Sequence, residues 1–344
     1  METKLSSVII GFGIMGRIRY HAMQRHGGYE IRAICDIRSE VREQMPDGLL
    51  VYSDWRACID EQEPKVVIVC AVNKMIPEIV CYALKRGCAV FSEKPPGRTL
   101  EDALKIQKVY NECGITLKFG FNHRYHNSVI EAKALLDSGL LGEAVCVRGV
   151  YGKAGNEHFA EEWRNNKEIS GGGILLDQGI HMLDLMRYLL GSELYVRSGI
   201  VSNLVWKELE TEDSAIALLE TERHQIASIH SSVLQWRHKF DMDILCTNGY
   251  IALNGLLTNS KSYGEESITY YKKDLLAESG KLGRPKEHTM CFNEDFSWDK
   301  EMAEFYEALV NQKPIVHGTM NDAVKTMQIV TDIYTQRASR DACP

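Results

Sequence analysis

The feature that most constrains the fold is a short apolar strand that runs directly into a glycine-rich loop. Residues 5–10 read Leu-Ser-Ser-Val-Ile-Ile, residues 11–16 read Gly-Phe-Gly-Ile-Met-Gly, and a helical pattern follows from Arg17 to about His26. In such a loop the first glycine permits a tight turn, the second lets the backbone approach a pyrophosphate, and the third lets helix and strand pack closely. The helix N-terminus then offers N–H groups to the phosphates. The sequence therefore predicts a dinucleotide-binding α/β domain.

The next strand ends in an acidic residue where a dinucleotide site needs one. Residues 30–35 form this strand and Asp36 follows it, so that its carboxylate can accept hydrogen bonds from the adenosine ribose. The same carboxylate would repel a 2′-phosphate, which favours NAD over NADP. Arg38 keeps NADP open as the alternative, because its guanidinium could turn toward a 2′-phosphate if Asp36 points elsewhere.

Strands and helices then alternate as far as residue 119, which is typical of a parallel sheet covered on both faces. Two of these strands end in polar residues, at 71–73 (Ala-Val-Asn) and at 93–95 (Glu-Lys-Pro). Doubly wound sheets bind their ligands at the carboxyl ends of the strands. Lys94 there could hydrogen-bond a substrate hydroxyl and stabilise an alkoxide-like transition state, although a solvated lysine before a turn would show the same pattern.

A second informative stretch, residues 171–191, begins with three glycines and reads as a helix that ends at Gly191. Apolar residues recur at helical spacing along one side, whereas Asp177, His181 and Asp184 share the polar face. Three interpretations fit that face. It is an ordinary solvated surface, half of a metal site, or a proton-transfer pair in which His181 changes charge near neutral pH and Asp177 orients it or holds a substrate hydroxyl. The metal is disfavoured because no further His or Cys follows at a ligand-like spacing.

The chain between and after these motifs reads as strands and long loops. A strand over residues 143–151 ends at Tyr151, and the long loop after it carries Trp163 and Arg164, which are either packing residues or contacts for a sugar ring or phosphate. Further strands are predicted over 195–201, 214–220, 225–233 and 239–246, with a hairpin at Asn248-Gly249. Helices are predicted over 298–311 and 321–337, and residues 256–297 are too irregular to interpret.

The totals limit the architecture and the classes of partner. A chain of 344 residues exceeds the usual size of one core, so we expect two domains, residues 1–122 and 123–344, with the last helix able to pack back on the first. The net charge of −7 without a long basic run argues against nucleic acid or an anionic membrane as partner. The chain begins without a signal-peptide pattern, and many of its ten cysteines lie in apolar segments, so we expect a cytoplasmic protein with reduced thiols.

In this order and spacing, the motifs resemble those of the Gfo/Idh/MocA oxidoreductase family, which includes glucose-fructose oxidoreductase and inositol 2-dehydrogenase. They are the glycine loop at 11–16, then Glu93-Lys94-Pro95, then Asn122 with Arg124-Tyr125, then the three glycines before Asp177 and His181. The resemblance covers essentially the whole chain, and residues 317–339 are similar to the family's closing helix. Asn73-Lys74 departs from the Thr-Pro-type turn common in the family, which affects only the cofactor contacts carried over at those positions.

The resemblance implies a Rossmann domain followed by an α/β domain with a large, mostly antiparallel open sheet that often makes oligomer contacts, here of a homodimer or homotetramer. It also implies that Lys94, Asp177 and His181 are the catalytic set. The predicted cofactor contacts are Gly11, Phe12, Gly13, Ile14, Met15, Asp36, Arg38, Ala71, Asn73, Glu93, Lys94 and Asn122. The predicted substrate contacts are Asn122, Arg124, Tyr151, Trp163, Arg164, Asp177 and His181, and no metal is expected.

These motifs together predict an oxidoreductase that moves a hydride between a nicotinamide and a ring carbon bearing a hydroxyl. The substrate would be a sugar, an inositol, or a sugar derivative that could carry a phosphate or nucleotide. His181 would exchange the hydroxyl proton, Lys94 would hydrogen-bond that oxygen and Asp177 would orient the substrate or His181, in a cleft between the domains. Two alternatives stay open: an NAD-dependent glycoside hydrolase that uses transient oxidation, and a non-catalytic NAD-binding sensor or corepressor, against which the intact catalytic set argues.

Overall fold

A computed structural model of the protein describes residues 4–43, 48–258, 262–273 and 286–341. The chain divides into two compact units, each assembled from three segments. The first unit consists of residues 1–122, 168–171 and 296–327, and the second of residues 123–167, 172–295 and 328–344. Each unit is therefore completed by segments that lie far apart in the sequence.

The first unit is built on a six-stranded parallel sheet. Its strands are β1 (Leu5–Ile10), β2 (Tyr29–Cys35), β3 (Leu50–Tyr52), β4 (Val66–Val69), β5 (Ala89–Glu93) and β6 (Leu117–Gly120). Their order across the sheet is β3-β2-β1-β4-β5-β6, so the chain changes direction of winding between β1 and β4. Every residue of β1 and β4 is buried, which is the pattern of a central strand covered on both faces. Doubly wound sheets bind their ligands at such a change of direction.

Local sequence signals set the ends of the helices that connect these strands. The helices are α1 (Ile14–His26), α2 (Glu40–Glu43), α3 (Trp55–Gln62), α4 (Ile76–Lys85) and α5 (Leu100–Cys113). Asp54 and Thr99 begin α3 and α5, where their side chains accept hydrogen bonds from backbone N–H groups of the first turn. Gly27 ends α1 in the left-handed conformation, with φ of +75°. The predicted βα alternation over residues 5–119 is confirmed.

The second unit is built on an eight-stranded sheet. Its strands are β7 (Ala144–Ala154), β8 (Leu194–Ser202), β9 (Ser214–Thr221), β10 (Ile226–Ser232), β11 (Leu234–Cys246), β12 (Gly249–Asn254), β13 (Glu266–Lys272) and β14 (His288–Phe292). The order is β14-β13-β12-β11-β7-β10-β9-β8, in which β7 and β10 pair in parallel and the other neighbours are antiparallel. The predicted fold class, a Rossmann sheet followed by a mostly antiparallel sheet, is confirmed.

Two strands lie in the stretch that was too irregular to interpret from the sequence. β13 and β14 fall within residues 256–297, of which residues 259–261 and 274–285 lie outside the described part of the chain. The hairpin predicted at Asn248-Gly249 joins β11 to β12, where Cys246 pairs with Gly249. The sequence therefore indicated the asparagine-glycine turn but not β13 and β14, the two strands at one edge of the sheet.

The helices of the remaining chain are α6 (Asn127–Asp137), α7 (Lys167–Ser170), α8 (Ile180–Leu190), α9 (Ser297–Val310) and α10 (Met320–Asp341). α8 is buried along nearly its whole length, and a Cβ built on Gly149 of β7 would lie 2.4 Å from the sulfur of Met182. Before α8, Leu175–Gly179 form a π-helical turn. The continuous α-helix predicted from the three glycines onward is therefore wrong in the turn that carries Asp177.

α9 returns the chain to the first unit. Met302, Phe305 and Tyr306 lie in the same buried cluster as Tyr20 and Met23 of α1. Among the residues that the structure describes, none of the helices combines the length and the hydropathy needed to cross a bilayer. The nine cysteines within that part of the chain are all free thiols.

Candidate active site

The glycine loop joins β1 to α1 in the first unit and packs so closely that two of its positions leave no space for a side chain. Gly11 has φ of +89°, and a Cβ built on it would lie 2.4 Å from the carbonyl oxygen of Cys70. A Cβ on Gly16 would lie 2.2 Å from the carbonyl oxygen of Gly11. Gly13 begins α1, and within the described residues of that first turn there is neither a side-chain cap nor an acidic side chain. The N–H groups and the positive end of the helix dipole therefore fit a pyrophosphate.

Asp36 follows β2 and lies against this loop. Its Oδ2 accepts a hydrogen bond of 2.7 Å from the N–H of Phe12, and its Oδ1 lies 2.9 Å from Nε of Arg38. Burial alone would raise the pKa of Asp36, but the hydrogen bonds from Arg38 and Phe12 lower it below its ordinary value. The side chain of Asp36 is 7% exposed and that of Arg38 is 45% exposed. An ionised carboxylate in this place fits ribose hydroxyls and opposes a 2′-phosphate, whereas Arg38 is the nearby exposed cation.

The carboxyl ends of neighbouring strands in the first unit carry the other predicted cofactor residues. Ala71 and Lys94 are half-buried and follow β4 and β5, two strands that pair with each other in parallel. Nδ2 of Asn73 donates a hydrogen bond of 2.7 Å to the carbonyl oxygen of Ser170. Asn122 follows β6 and is buried, and its Nδ2 lies 3.3 Å from Oγ of Ser297. The sheet therefore brings these residues to one edge.

Glu93, the residue before Lys94, belongs to a buried charge cluster. Nε of Arg19 lies 2.7 Å from Oε1 of Glu93, and its Nη2 lies 2.6 Å from Oε2 of Glu301 in α9. The guanidinium also lies 4.2 Å from the ring centroid of Phe91. Burial raises the pKa of Glu301 to about 7, although Arg19 acts in the opposite direction. One fully buried cation therefore holds two carboxylates and fixes the strand end that precedes Lys94.

In the second unit, a buried carboxylate holds the start of the glycine-led segment. Glu212 accepts hydrogen bonds of 2.9 Å from the N–H groups of Gly173 and Leu175. A Cβ on Gly173 would lie 2.1 Å from the carbonyl oxygen of Glu212, so this close approach requires glycine. The contact fixes the π-helical turn that carries Asp177 and leads into α8, where His181 lies in the first turn.

His181 is nearly enclosed. It is 5% exposed, which excludes the interpretation of its helix face as a solvated surface. Its imidazole stacks on that of His123, with ring centroids 3.8 Å apart and ring planes inclined by 16°. Nε2 of His123 lies 3.0 Å from the hydroxyl of Tyr151 in β7. Burial, together with Tyr263 and Asp177 nearby, raises the pKa of Tyr151 well above its ordinary value, so that hydroxyl stays protonated.

Asp177 lies between two cations. Nε of Arg164 lies 3.3 Å from its Oδ1, and Nζ of Lys153 lies 3.9 Å from its Oδ2. Lys153 also lies 3.5 Å from a carboxylate oxygen of Glu162. The guanidinium carbon of Arg164 lies 4.7 Å from the ring centroid of Trp163. The predicted substrate residues Trp163, Arg164 and Asp177 are thus adjacent. The carboxylate of Asp177 is compensated by Arg164 and Lys153.

Arg124 and Asp184 form a buried ion pair. Nε and Nη2 of Arg124 lie 2.7 Å and 2.6 Å from the two carboxylate oxygens of Asp184. The guanidinium carbon also lies 4.9 Å from the ring centroid of Tyr188. This bidentate pair joins the turn at residues 122–125 to α8, so packing accounts for the position of Arg124. Among the described residues, no group of three His, Cys, Asp or Glu side chains is arranged to hold a metal ion.

Several residues of this site were not identified from the sequence. Besides His123 and Lys153, the structure adds Tyr263, whose hydroxyl accepts a hydrogen bond from the side-chain amide of Gln178. The rings of Tyr263 and Tyr151 lie 5.5 Å apart, and burial raises the pKa of Tyr263 to about 12. Strand alternation could have identified Lys153, because it follows Tyr151 by two residues and so lies on the same face. Tyr263 lies in the stretch that the sequence left uninterpreted.

Two family models match this chain. The description "Oxidoreductase family, NAD-binding Rossmann fold" matches residues 5–121, and "GFO/IDH/MocA C-terminal domain" matches residues 129–252. The chain belongs to the Gfo/Idh/MocA oxidoreductase family. Its first unit is accordingly the NAD-binding Rossmann fold of this family, and the resemblance inferred from the motifs is confirmed.

Relatives within the Gfo/Idh/MocA family include sugar and polyol dehydrogenases. D-glucoside 3-dehydrogenase of Escherichia coli K12 is 31% identical over 196 residues, which is 55% of each chain. Inositol 2-dehydrogenase 2 of Saccharopolyspora erythraea is 26% identical over 233 residues, which is 64% of each chain. The matched segments therefore span between about half and two thirds of these relatives.

Solved structures share the fold over nearly the whole chain. Levoglucosan dehydrogenase in complex with NADH has a TM-score of 0.84 at 20% identity and covers 98% of both chains. Aldose-aldose oxidoreductase from Caulobacter crescentus in complex with glycerol has a TM-score of 0.82 at 20% identity, also over 98% of both chains. At these identities the likeness shows the common Gfo/Idh/MocA fold.

Proposed function

We propose that this Gfo/Idh/MocA protein is an NAD-dependent dehydrogenase that oxidises or reduces a ring carbon of a sugar, a sugar derivative or an inositol. The observation that carries the proposal is the environment of His181. Its imidazole is almost fully buried, lies against His123, and follows Asp177 by four residues, in a chain whose first unit is an NAD-binding fold. An enclosed imidazole whose ring is held by a neighbouring side chain is suited to exchange one proton with a substrate hydroxyl.

The residues divide the chemistry between them. When bound, NAD supplies the nicotinamide ring that exchanges the hydride. His181 accepts the proton of the reacting hydroxyl during oxidation and returns it during reduction. The ammonium of Lys94 donates a hydrogen bond to the same oxygen and stabilises the negative charge that develops there. Asp177, held by Arg164 and Lys153, accepts a hydrogen bond from a substrate hydroxyl and orients the ring.

The charges around Asp177 support an uncharged polyol as substrate. Lys153 and Arg164 stand against Asp177 and Glu162, so these four side chains sum to zero. Alternating donors and acceptors suit a row of hydroxyls, and Trp163 offers an aromatic face to a sugar ring. The names of the relatives, a glucoside dehydrogenase and an inositol dehydrogenase, agree with this class. A phosphorylated or nucleotide-linked sugar is the alternative, with Arg164 as its anion contact.

NAD rather than NADP is the cofactor that Asp36 supports. Its carboxylate is ionised and directed at the loop by the N–H of Phe12, where it would face the adenosine ribose. Arg38 already pairs with Asp36, so its charge is largely compensated in the place where a 2′-phosphate would bind. NADP would require this pair to separate.

The test is a spectrophotometric assay of NADH formation with NAD or NADP across inositols, free sugars, glycosides, sugar phosphates and nucleotide sugars. We expect turnover with at least one uncharged polyol and NAD. With that substrate, His181→Ala should lower kcat by about 10²- to 10⁴-fold while NAD binding, measured by calorimetry, stays within about twofold. His224→Ala, at an exposed histidine paired with Glu220, is the matched control and should keep full activity. Undiminished turnover by His181→Ala would reject the assignment.

The outer face of the eight-stranded sheet supports assembly with further copies of the chain. On β8 and β9, Ile200 pairs with Ile216, and Leu218 follows two residues later on the same side. Ile226 of β10 and Tyr195 of β8 lie on that side too, each opposite Glu220, and all five apolar side chains are exposed. A contiguous apolar face of this kind is typical of a protein interface. We infer a homodimer or homotetramer that forms through this face.

The location is a separate inference. The free cysteines of the described residues support a cytoplasmic protein.

A further inference from the structure

The imidazole of His123 stacks on that of His181, the proposed proton-exchanging residue, although no sequence motif identified His123. Its ring plane is inclined by 16° to that of His181, and the centroids are 3.8 Å apart, so the two faces are in van der Waals contact. His123 is itself 5% exposed. The stack is therefore shielded from solvent on the side of His123.

The surroundings of His123 favour its neutral form. The hydroxyl of Tyr151 lies 3.0 Å from Nε2, and a protonated phenol can donate this hydrogen bond to a neutral imidazole. The ring centroid of Phe240 in β11 lies 6.2 Å from that of His123, and the ring centroid of His126, three residues further along the chain, lies 5.6 Å from it. His126 is in turn paired with Glu266 of β13 at 2.8 Å. Burial among aromatic rings disfavours a charge on an imidazole.

The charged side chains of the elements packed around the stack are engaged with one another. Arg124, which follows His123 directly, forms the buried bidentate pair with Asp184 of α8. Asp177, in the turn before α8, lies between Arg164 of the preceding loop and Lys153 of β7. If both imidazoles were protonated, two positive charges would lie 3.8 Å apart and repel each other. The pair of stacked rings therefore favours a single positive charge, carried by His181.

We propose that His123 is a positioning residue for His181, a neutral aromatic platform that fixes the plane of the His181 ring and stabilises the positive charge that this ring acquires with a proton. A cation over an aromatic face is attracted to its π electrons, most strongly where water is excluded. The inference rests on the proposed function of His181 as the group that exchanges the substrate proton. Beyond that function, the inference states that His123, through its stacked ring, controls the proton affinity of His181.

The decisive measurement is independent of turnover. Long-range proton–nitrogen NMR spectra of the full-length protein carrying ¹⁵N-histidine follow the titration of both rings. We expect His123 to keep the nitrogen shifts of a neutral imidazole throughout the titration of His181. His123→Leu, which removes the aromatic face, should lower the proton affinity of His181 about 3- to 10-fold. His123→Phe, which keeps the face and removes the hydrogen bond to Tyr151, should restore that affinity to within about twofold.

The comparison of the two variants separates positioning from general support of the fold. Both lose the hydrogen bond to Tyr151, so a role limited to that hydrogen bond would affect the two variants equally. With NAD and myo-inositol or methyl α-D-glucoside as the probes, kcat of His123→Leu should fall about 10- to 100-fold with KM for NAD unchanged, and His123→Phe should recover most of the loss. His230→Leu, at a half-buried histidine of β10, controls for the substitution itself.

The proposal is overturned if His123 titrates together with His181, if His123→Leu leaves the His181 titration in place, or if the leucine and phenylalanine variants behave alike. Failure of the proposed function looks different. A wild-type protein that forms no NADH with any polyol would reject dehydrogenase activity, while the NMR titration would still decide whether His123 controls the charge on His181.

Discussion

Glu301 should make the protein less stable as the pH rises toward neutrality, and replacing it with glutamine should remove that loss. Its carboxylate is fully buried in α9 and shares Arg19 with Glu93. Burial raises the pKa of Glu301 to about 7, and Glu93 adds to the rise, while Arg19 and Lys118 oppose it. One cation between two carboxylates compensates a single negative charge well and a second one poorly.

The magnitude follows from the difference between the folded and unfolded states. The pKa of Glu301 rises from 4.5 to about 7, a difference of 2.5 units. Because a difference of one in pKa corresponds to about 1.4 kcal/mol, the full difference amounts to about 3.5 kcal/mol. Because the folded-state pKa is raised, the stabilising contribution is fully present below pH 4.5 and is lost as the pH rises through 7. The loss should therefore accumulate mainly between these two values.

The assay is urea unfolding of the wild type and of Glu301→Gln at a series of pH values from about 5 to 8. The amide stays neutral throughout, so the free energy of unfolding of the variant should rise relative to the wild type by about 2.5 kcal/mol across this range. Glu307→Gln, in the same helix, is the matched control. The pKa of Glu307 is lowered by hydrogen bonds from Lys313 and Asn311, so its difference from the wild type should be flat above pH 6.

A difference curve that stays flat from about pH 5 to 8 would refute this reasoning. It would mean that the contact of 2.6 Å between Arg19 and Glu301 outweighs the cost of burying the charge, so that the folded-state pKa is not raised. A folded-state pKa at or below the ordinary value would confine the pH dependence of Glu301 to more acidic solutions than those of the assay.

Three other substitutions test separate parts of the proposal. Lys153→Met should lower kcat/KM for the polyol about 10-fold, because Asp177 loses one of its two cations. Lys133→Met, which removes a lysine paired within α6, should leave kcat/KM within about twofold, and equal losses in the two variants would show that Lys153 does not hold Asp177 for the substrate. Asp36→Asn should shift the ratio of kcat/KM for NADP over NAD upward about 10-fold by removing a like charge from the 2′-phosphate, and an unchanged ratio would show that the carboxylate does not face the ribose. Leu218→Asp should reduce the mass measured by light scattering toward that of a monomer, and an unaltered mass would place the interface elsewhere.

The sequence determined the parts of this protein that depend on neighbours along the chain. The loop at residues 11–16 needs glycine because Gly11 has a φ of +89° and a Cβ on Gly16 would lie 2.2 Å from the carbonyl oxygen of Gly11. Such local requirements show directly in the composition of a loop. The unbroken apolar run of β4 likewise indicates a central parallel strand. The order of the motifs was enough to identify the family.

The tertiary structure decided what surrounds each candidate group. His123 and His181 are 58 positions apart by their numbers, and nothing local to either indicates that their rings stack at 3.8 Å. The π-helical turn before α8 depends on a carboxylate from Glu212, and the partners of Arg19 come from β5 and α9. Periodicity reports which face of an element is apolar, but the side chains that meet across a site are fixed by sheet order and register. For that reason the sequence could propose His181 as the proton-exchanging residue, whereas only the fold revealed that its ring stacks on His123.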